Sequence, residues 1–221
     1  MRKPPHRILV SDFDGTMTKF DFFDLARRDL PSNADHDFWQ NYVDGKITHF
    51  EALQGIFGSI RADWPGIERV LAGMRLDPTL NDSVARLRAA GWEIVVASAG
   101  CGWYIERLLG QAGVELDVHA NPGTFAPETG LRLTLPVDSP YFKRETGIDK
   151  PAIVRAALAR DPDAVFAGDG RPDLAPASLV KPGNRFATGW LAHHFRNVGE
   201  PFRPFDTWSQ IAAALLEETT C

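Results

Sequence analysis

The sequence predicts an α/β fold, a doubly wound and mostly parallel β-sheet into which a small helical cap is inserted. Two observations support this prediction. Short apolar runs typical of buried strands alternate with helical patterns along most of the 221 residues. The segment 20–74 is the exception, because it is too long for a crossover between strands and contains only helical patterns.

The first strand is predicted at residues 8–10, and the segment that follows is predicted to be the cap. Its clearest helix begins at Thr48 and Glu51, which have the spacing of a capping box, and apolar residues continue at helical intervals to about residue 60. Most aromatic residues of this segment are expected to pack the cap. The predicted cap helices lie at 20–28, 38–43 and 48–60. We place the cap at residues 19–79 and the core at residues 1–18 and 80–221.

After the cap, the pattern returns to alternating helices and strands. A helix is predicted from Pro78 to Gly91, because proline suits a first turn and glycine a left-handed C-cap. Continuous apolar runs predict buried strands at 94–97 and 164–167. Asp149 is expected to cap the helix before the second run. The other predicted elements are a helix through Ile105 to Leu109, short strands at 117–119, 131–135 and 185–188, and a closing helix at 207–216.

The composition excludes several classes of protein. Hydrophobic residues make up 44% of the chain and charged residues 24%, which is typical of a globular domain with an insertion. The net charge of −5 argues against a nucleic-acid partner. No apolar stretch approaches the ~20 residues that span a bilayer, so we expect a cytoplasmic protein without a membrane partner. Cys101 and Cys221 are expected to be free thiols, and the tandem His193–His194 to lie at the surface.

Two carboxylates, Asp12 and Asp14, follow the first predicted strand and precede Gly15. An ordinary turn is one interpretation, since these residue types favour turns. At a separation of about 4 Å, however, two such charges repel each other by roughly 4 kcal/mol near a protein surface. Such a pair therefore implies a cation or a shared proton nearby.

Later polar residues complete this site, because the carboxyl ends of parallel strands meet in one crevice. Ser98 follows the second main strand, and Asp169 and Asp173 follow the fourth. Four carboxylates form a hard-oxygen site suited to Mg²⁺. Lys150, at a helix start, can face a phosphate, so the set predicts phosphoryl transfer with Asp12 as nucleophile. Two alternatives remain open: Ser98 caps the next helix, or Lys143 takes the place of Lys150.

The ordered set resembles the four motifs of the haloacid dehalogenase (HAD) superfamily of phosphatases. The resemblance covers nearly the whole chain and implies a Rossmann-like core with a cap. It implies that Asp12 is the nucleophile and Asp14 the general acid and base. The implied phosphate ligands are Ser98, Ala99 and Lys150. The implied Mg²⁺ ligands are Asp12, Asp169, the backbone carbonyl of Asp14, and Asp173, which would bind directly, through water or through Lys150.

The position of the cap resembles the subgroup that contains phosphoserine phosphatase and the methylthiopentenyl phosphate phosphatase of methionine salvage. Phosphoserine phosphatases have Ser in place of Gly15, Glu in place of Asp21 and a cap Arg that clamps the substrate carboxylate, where this chain has Phe57. Loss of that clamp disfavours phosphoserine, unless Arg61 substitutes for it. Asp21 and Phe57 are therefore the candidate substrate-selecting residues.

The methionine-salvage enzyme resembles the chain better, at Thr18 and Asp21, at Phe57–Gly58 and at Lys150–Pro151. The expected partner is a small phosphorylated metabolite. A phosphocholine-type phosphatase, a phosphotransferase and a catalytically idle phosphate-binding module are the alternatives. Intact acid and base residues argue against the last of these, because a binder does not need them.

Overall fold

A computed structural model describes residues 7–220. The strands are β1 (Arg7–Ser11), β2 (Trp92–Cys101), β3 (Asp117–Asn121), β4 (Gly123–Ala126), β5 (Gly130–Leu133), β6 (Phe142–Lys143), β7 (Gly147–Ile148), β8 (Val165–Gly168), β9 (Arg185–Ala187) and β10 (Arg203–Pro204). The helices are α1 (Phe22–Asp29), α2 (Phe38–Val43), α3 (His49–Ser59), α4 (Trp64–Gly73), α5 (Leu80–Ala89), α6 (Gly102–Gln111), α7 (Lys150–Arg160), α8 (Leu174–Ala177), α9 (Gly189–Val198) and α10 (Trp208–Thr220). None of the described helices is both long enough and apolar enough to cross a membrane.

The central sheet has six parallel strands in the order β10-β9-β8-β1-β2-β3. Strand β1 lies in the middle, and alternate residues point to opposite faces, so Leu9 joins one hydrophobic cluster while Ile8 and Val10 join another. Helices α5 and α10 cover the first face, and α7 and α9 cover the second. Burial on both faces explains the continuous apolar runs, and the predicted fold class is confirmed.

The segment after β1 is helical, as predicted. The capping box of α3 is present: Thr48 Oγ1 accepts a hydrogen bond from Glu51 N (3.1 Å), and the Glu51 carboxylate accepts one from Thr48 N (2.8 Å). Asp21, Asp37 and Asp63 cap α1, α2 and α4, each with a side-chain oxygen that accepts a backbone N–H bond from the first turn. The boundaries proposed for the cap, residues 19–79, stay a prediction.

A β-hairpin outside the main sheet packs against the cap helices. The strand predicted at 131–135 is β5, which pairs with β4 in an antiparallel hairpin. Gln54 Nε2 of α3 donates to the carbonyl oxygen of Leu133 (2.9 Å), and Phe125 packs against Trp64 and Trp103. The cap helices therefore rest partly on residues that follow much later in the chain.

Several local features differ from the prediction. Strand β2 does not end before Ser98 but runs to Cys101, with a register shift between Ala97 and Cys101. Helix α6 therefore begins at Gly102, and Ser98 does not cap it. Helix α5 begins at Leu80 rather than Pro78, because Asp77 first closes a turn by accepting hydrogen bonds from Thr79. Helix α9 was not predicted, since its adjacent histidines interrupt the apolar pattern.

Candidate active site

The carboxyl ends of β1 and β8 bring three acidic side chains together. Asp12 N donates to the carbonyl oxygen of Ala167 (2.9 Å), which extends the pairing of the two strands by one bond. Asp12, Asp169 and Asp173 each offer a carboxylate oxygen, and these three atoms lie within 4.8 Å of one another. The crevice predicted at this edge of the sheet therefore contains the expected acid cluster.

Lys150 is the cation of the cluster. It opens α7 after the N-cap residue Asp149, and its Nζ donates to Asp12 Oδ1 (2.6 Å) and Asp173 Oδ1 (2.7 Å). Burial alone would lower the pKa of Lys150, but the two carboxylates outweigh it and raise this pKa. The alternative lysine, Lys143, is exposed on β6 and does not line the crevice.

A tight loop holds the acids in position. Asp173 Oδ2 accepts hydrogen bonds from Asp169 N (3.1 Å) and Gly170 N (3.0 Å). Gly15 has a φ of +71°, and a Cβ added there would lie 2.4 Å from Asp169 Oδ2. Only glycine suits this position, both for its conformation and for the space that Asp169 occupies.

Asp14 is held separately from the acid cluster. Its Oδ1 accepts a hydrogen bond from Phe22 N (3.1 Å), and its Oδ2 accepts one from the hydroxyl of Tyr104 (2.8 Å). Burial raises the pKa of Asp14 well above its ordinary value, and repulsion from Asp21 and Asp12 adds to the effect. Sequence reasoning did not find Tyr104, because 90 positions separate it from Asp14 and no local pattern connects them.

The cluster carries more negative charge than its one lysine balances. Burial and the neighbouring Asp173 raise the pKa of Asp12 to about 7, against the opposing effect of Lys150. Burial and repulsion from Asp12 and Asp173 raise the pKa of Asp169 to about 10. A divalent cation fits three such hard oxygen ligands. The carboxylate of Asp14 lies outside this group, and a role for its backbone carbonyl stays a prediction.

Ser98 and Ala99 line the same crevice. Ser98 Oγ accepts a hydrogen bond from Gly100 N (3.0 Å), which leaves its hydroxyl proton free for an anion. The Asn121 side chain donates to the carbonyl oxygen of Ala99 (2.8 Å) and anchors this part of β2.

The crevice continues into a cleft of about 490 Å³ beneath the cap. Both candidate substrate-selecting residues, Asp21 and Phe57, line it. Arg61 does not line it, because its guanidinium donates to the carbonyl oxygens of Gly58 and Ile60. The other cap residues that line the cleft are Phe23, Asp24, Trp39, Tyr42, His49 and Leu53.

Cys101 and the tandem histidines do not line the crevice. Cys101 is a buried free thiol, as predicted, and burial raises its pKa to about 12, whereas Cys221 lies outside the described residues. His193 contacts Asn197, while His194 stacks on Trp190. The two histidines therefore face different neighbours and do not form a metal site with each other.

Neither a protein-family model nor a curated protein sequence matches this chain. Solved structures do. A HAD-family hydrolase from Salmonella enterica serovar Typhi aligns with a TM-score of 0.65 at 18% identity, over 93% of this chain and 68% of that one. A substrate-bound phosphoserine phosphatase aligns with a TM-score of 0.62 at 13% identity, over 93% of this chain and 95% of that one. A cytosolic 5′-nucleotidase IIIB bound to cytidine aligns with a TM-score of 0.56 at 22% identity, over 98% of this chain and 87% of that one. The chain therefore has the fold of the HAD-family hydrolases, in the form found in phosphoserine phosphatases.

Proposed function

We propose that this protein is a Mg²⁺-dependent phosphatase that hydrolyses a small phosphorylated metabolite through an aspartyl-phosphate intermediate. One observation carries the proposal: Asp12 and Asp14, two residues apart, are held by different partners. Asp12 contacts the cation Lys150 (2.6 Å), whereas Asp14 accepts hydrogen bonds from Phe22 N and Tyr104. Two carboxyl groups in different environments are suited to two different chemical roles.

Asp12 is suited to be the nucleophile. A carboxylate oxygen of Asp12 attacks phosphorus, and the bond between phosphorus and the ester oxygen breaks. Asp14 is suited to be the acid, because its raised pKa favours the protonated form that donates a proton to the departing oxygen. The products of this step are the free alcohol and an acyl phosphate on Asp12.

The second step returns the enzyme to its starting state. A water molecule attacks phosphorus and transfers a proton to the Asp14 carboxylate. The bond between phosphorus and the Asp12 oxygen breaks, which releases inorganic phosphate and restores both carboxyl groups. An alcohol in place of this water would make the reaction a phosphotransfer.

Phosphate binding is proposed for Ser98, Ala99 and Lys150. The Ser98 hydroxyl and the Lys150 ammonium can each donate to a phosphoryl oxygen. Asp12, Asp169 and Asp173 would hold Mg²⁺, with the Asp14 carbonyl. The bound ion would supply positive charge that offsets the repulsion between phosphate and carboxylates.

The finer identity of the metabolite rests on sequence. The motif resemblance makes methylthiopentenyl phosphate the first physiological ester to test. Phosphoserine is a weaker candidate, since no cap arginine among the described residues lines the cleft. Phosphocholine is the third candidate by motif resemblance, which does not take the side chains of the cleft into account. A cytoplasmic location stays a prediction.

The proposal is tested with p-nitrophenyl phosphate and purified protein. We expect Mg²⁺-dependent release of phosphate that EDTA abolishes. Asp12→Asn should reduce turnover by at least a thousandfold, because the amide is a poor nucleophile. Asp163→Asn, which removes an exposed carboxylate paired with Lys181, is the matched control and should retain activity. Turnover that persists in Asp12→Asn would exclude the aspartyl-phosphate route, and a complete lack of turnover in the unaltered protein would favour a phosphate-binding module.

A further inference from the structure

We propose that the cleft selects esters whose leaving group carries a positive charge, that is, small alkyl phosphates with an ammonium or quaternary ammonium group. This inference rests on the proposed phosphatase activity and specifies its substrate class. It depends on the cap side of the cleft, where the leaving group must lie because the opposite side holds Asp12, Lys150 and Asp169.

The cap side presents an aromatic wall, formed by Phe23, Trp39 and Tyr42. The ring centroids of Phe23 and Trp39 are 4.8 Å apart, and those of Trp39 and Tyr42 are 5.3 Å apart. All three rings retain contact with solvent, and Tyr42 is 36% exposed. The faces of such rings attract cations through their quadrupoles, most strongly where water is partly excluded.

Charge on the cap side is negative. Asp21 and Asp24 line the cleft beside the aromatic wall, whereas no lysine or arginine of the described cap residues lines it. One oxygen of Asp21 accepts a hydrogen bond from Phe23 N (2.6 Å), so the N-terminal turn of α1 holds this carboxylate in position. A cationic leaving group would find both aromatic faces and carboxylates here.

Nearby basic residues do not line the cap side of the cleft. Arg27 lies over the ring of Phe23 (5.2 Å) but does not line the cleft. On the core side, Lys150 is bonded to two carboxylates, and the guanidinium of Arg171 lies 4.8 Å from the ring of Trp190. A leaving group with a carboxylate would therefore face repulsion without a clamp on the cap side.

His49, next to the aromatic wall, does not offset this charge. Its ring centroid lies 5.3 Å from that of Tyr42, and its Nδ1 is buried without a hydrogen-bond partner. Burial, and secondarily Lys150, lower the pKa of His49 to about 4, so the ring is neutral at pH 7. It therefore adds no positive charge that would repel a cationic leaving group.

The inference is tested with two esters of nearly equal shape, phosphocholine and 3,3-dimethylbutyl phosphate, in which a neutral carbon replaces the quaternary nitrogen. We expect kcat/KM for phosphocholine to exceed that for the neutral ester by roughly tenfold or more. Methylthiopentenyl phosphate and phosphoserine complete the panel, and both should be slower than phosphocholine.

Two variants locate the effect. Tyr42→Leu keeps an apolar side chain but removes the ring, and Asp24→Asn removes one charge from the cleft. Each should reduce the ratio of the two kcat/KM values by about threefold or more. Asp29→Asn is the matched control, because it removes the same charge from the same helix at an exposed position bonded to Arg28. It should leave the ratio unchanged.

Titration calorimetry measures the Kd of choline and of the neutral 3,3-dimethylbutanol without any turnover. Choline should bind more tightly. Suppose that the protein hydrolyses p-nitrophenyl phosphate. Equal rates for phosphocholine and 3,3-dimethylbutyl phosphate, or faster hydrolysis of methylthiopentenyl phosphate, would then overturn the inference and leave the phosphatase proposal intact. Lack of turnover with every ester would overturn both.

Discussion

His49 is a neutral histidine in a cleft that contains six carboxylates. It is the first residue of α3, and its ring centroid lies 5.3 Å from that of Tyr42 and 6.2 Å from that of Trp39. Because burial lowers its pKa, protonation of this ring costs more in the folded protein than in the unfolded chain. The residue should therefore affect how stability changes with pH.

We predict that His49→Gln weakens the loss of stability in acid. The unfolded chain takes up a proton near the ordinary pKa of 6.5, whereas folded His49 does so only near about 4. The free energy of unfolding therefore falls as the pH drops from 6.5 toward 4, by up to about 3 kcal/mol, and is unaffected above that range.

Urea unfolding of both proteins at pH 7.5 and pH 4.5 measures this difference. His193→Gln, at an exposed position of α9, is the control and should behave as the unaltered protein does. Equal acid sensitivity of His49→Gln and the unaltered protein would contradict the prediction.

The positions of single residues in the site were predictable where a local sequence pattern defines the strand or helix beside them. Asp12, Asp14 and Asp169 follow apolar runs, and Asp149 precedes a helix, so each position could be inferred from its neighbours in the chain. Tyr104 could not be inferred in this way, since its contact with Asp14 depends on the packing of α6 against α1.

At the level of elements, two helices that pack on each other, α1 and α6, hold Asp14. The first turn of α1 donates through Phe22 N, and α6 donates through the hydroxyl of Tyr104. The rings of Phe22 and Tyr104 stack at 4.5 Å, so the helix that opens the cap also packs on the core. Gly100 makes this contact possible, because a Cβ there would lie 2.0 Å from the Tyr104 hydroxyl.

Tyr104→Phe should therefore lower kcat by about tenfold while KM changes little. The substitution removes one hydrogen bond to Asp14, and such a bond contributes roughly 0.5–1.5 kcal/mol when the carboxyl group is neutral and roughly 1.5–3 kcal/mol when it is charged. Single-turnover kinetics with an alkyl phosphate, whose departing oxygen needs a proton, would show slower cleavage of the ester and slower hydrolysis of the intermediate.

Tyr141→Phe provides the control, since Tyr141 packs on His119 and does not line the cleft. An unchanged kcat in Tyr104→Phe would show that Phe22 N alone is sufficient to orient Asp14. Such a result would remove Tyr104 from the proposed site.

Elements with local signals were predicted well. The capping box places α3, and the Asp149 cap places α7, because both signals involve residues within one turn. The β4–β5 hairpin and the extension of β2 past Ser98 were not predicted correctly. Their positions depend on distant partners, Leu133 with Gln54 and Ala99 with Asn121, which local patterns do not contain.

Across the whole molecule, the acid cluster disfavours folding, because Lys150 alone does not balance its three carboxyl groups and the pKa values of Asp12 and Asp169 stay raised. Asp12, Asp169 and Asp173 come together only when β1, β8 and the loop after β8 are assembled. The unfolded chain keeps these carboxylates apart, so a ligand of the cluster binds the folded state preferentially and stabilises it.

Magnesium should therefore raise the melting temperature in differential scanning fluorimetry. At about one hundred times its Kd the ion contributes roughly 2.7 kcal/mol, which corresponds to about 5–10 °C for a chain of this length. Asp169→Asn should reduce this shift and, in EDTA, melt no lower than the unaltered protein, because folding then no longer requires this carboxyl group to take up a proton on burial beside Asp12 and Asp173.

NaCl at the same ionic strength and the remote variant Asp163→Asn separate specific binding from general screening. The variant should retain the full magnesium shift. A shift that NaCl reproduces, or that Asp169→Asn retains in full, would exclude the acid cluster as the metal site.

The amino-acid sequence was sufficient to predict the parallel α/β core, the helical segment after β1 and the positions of the acidic residues along the chain. Periodicity and capping act within a few residues, so a linear sequence contains them. Only the folded structure shows which groups meet: Lys150 with Asp12 and Asp173, Tyr104 with Asp14, and Phe23 of α1 with Trp39 of α2. These contacts join residues that are distant in sequence or lie on different helices, and only packing brings them together.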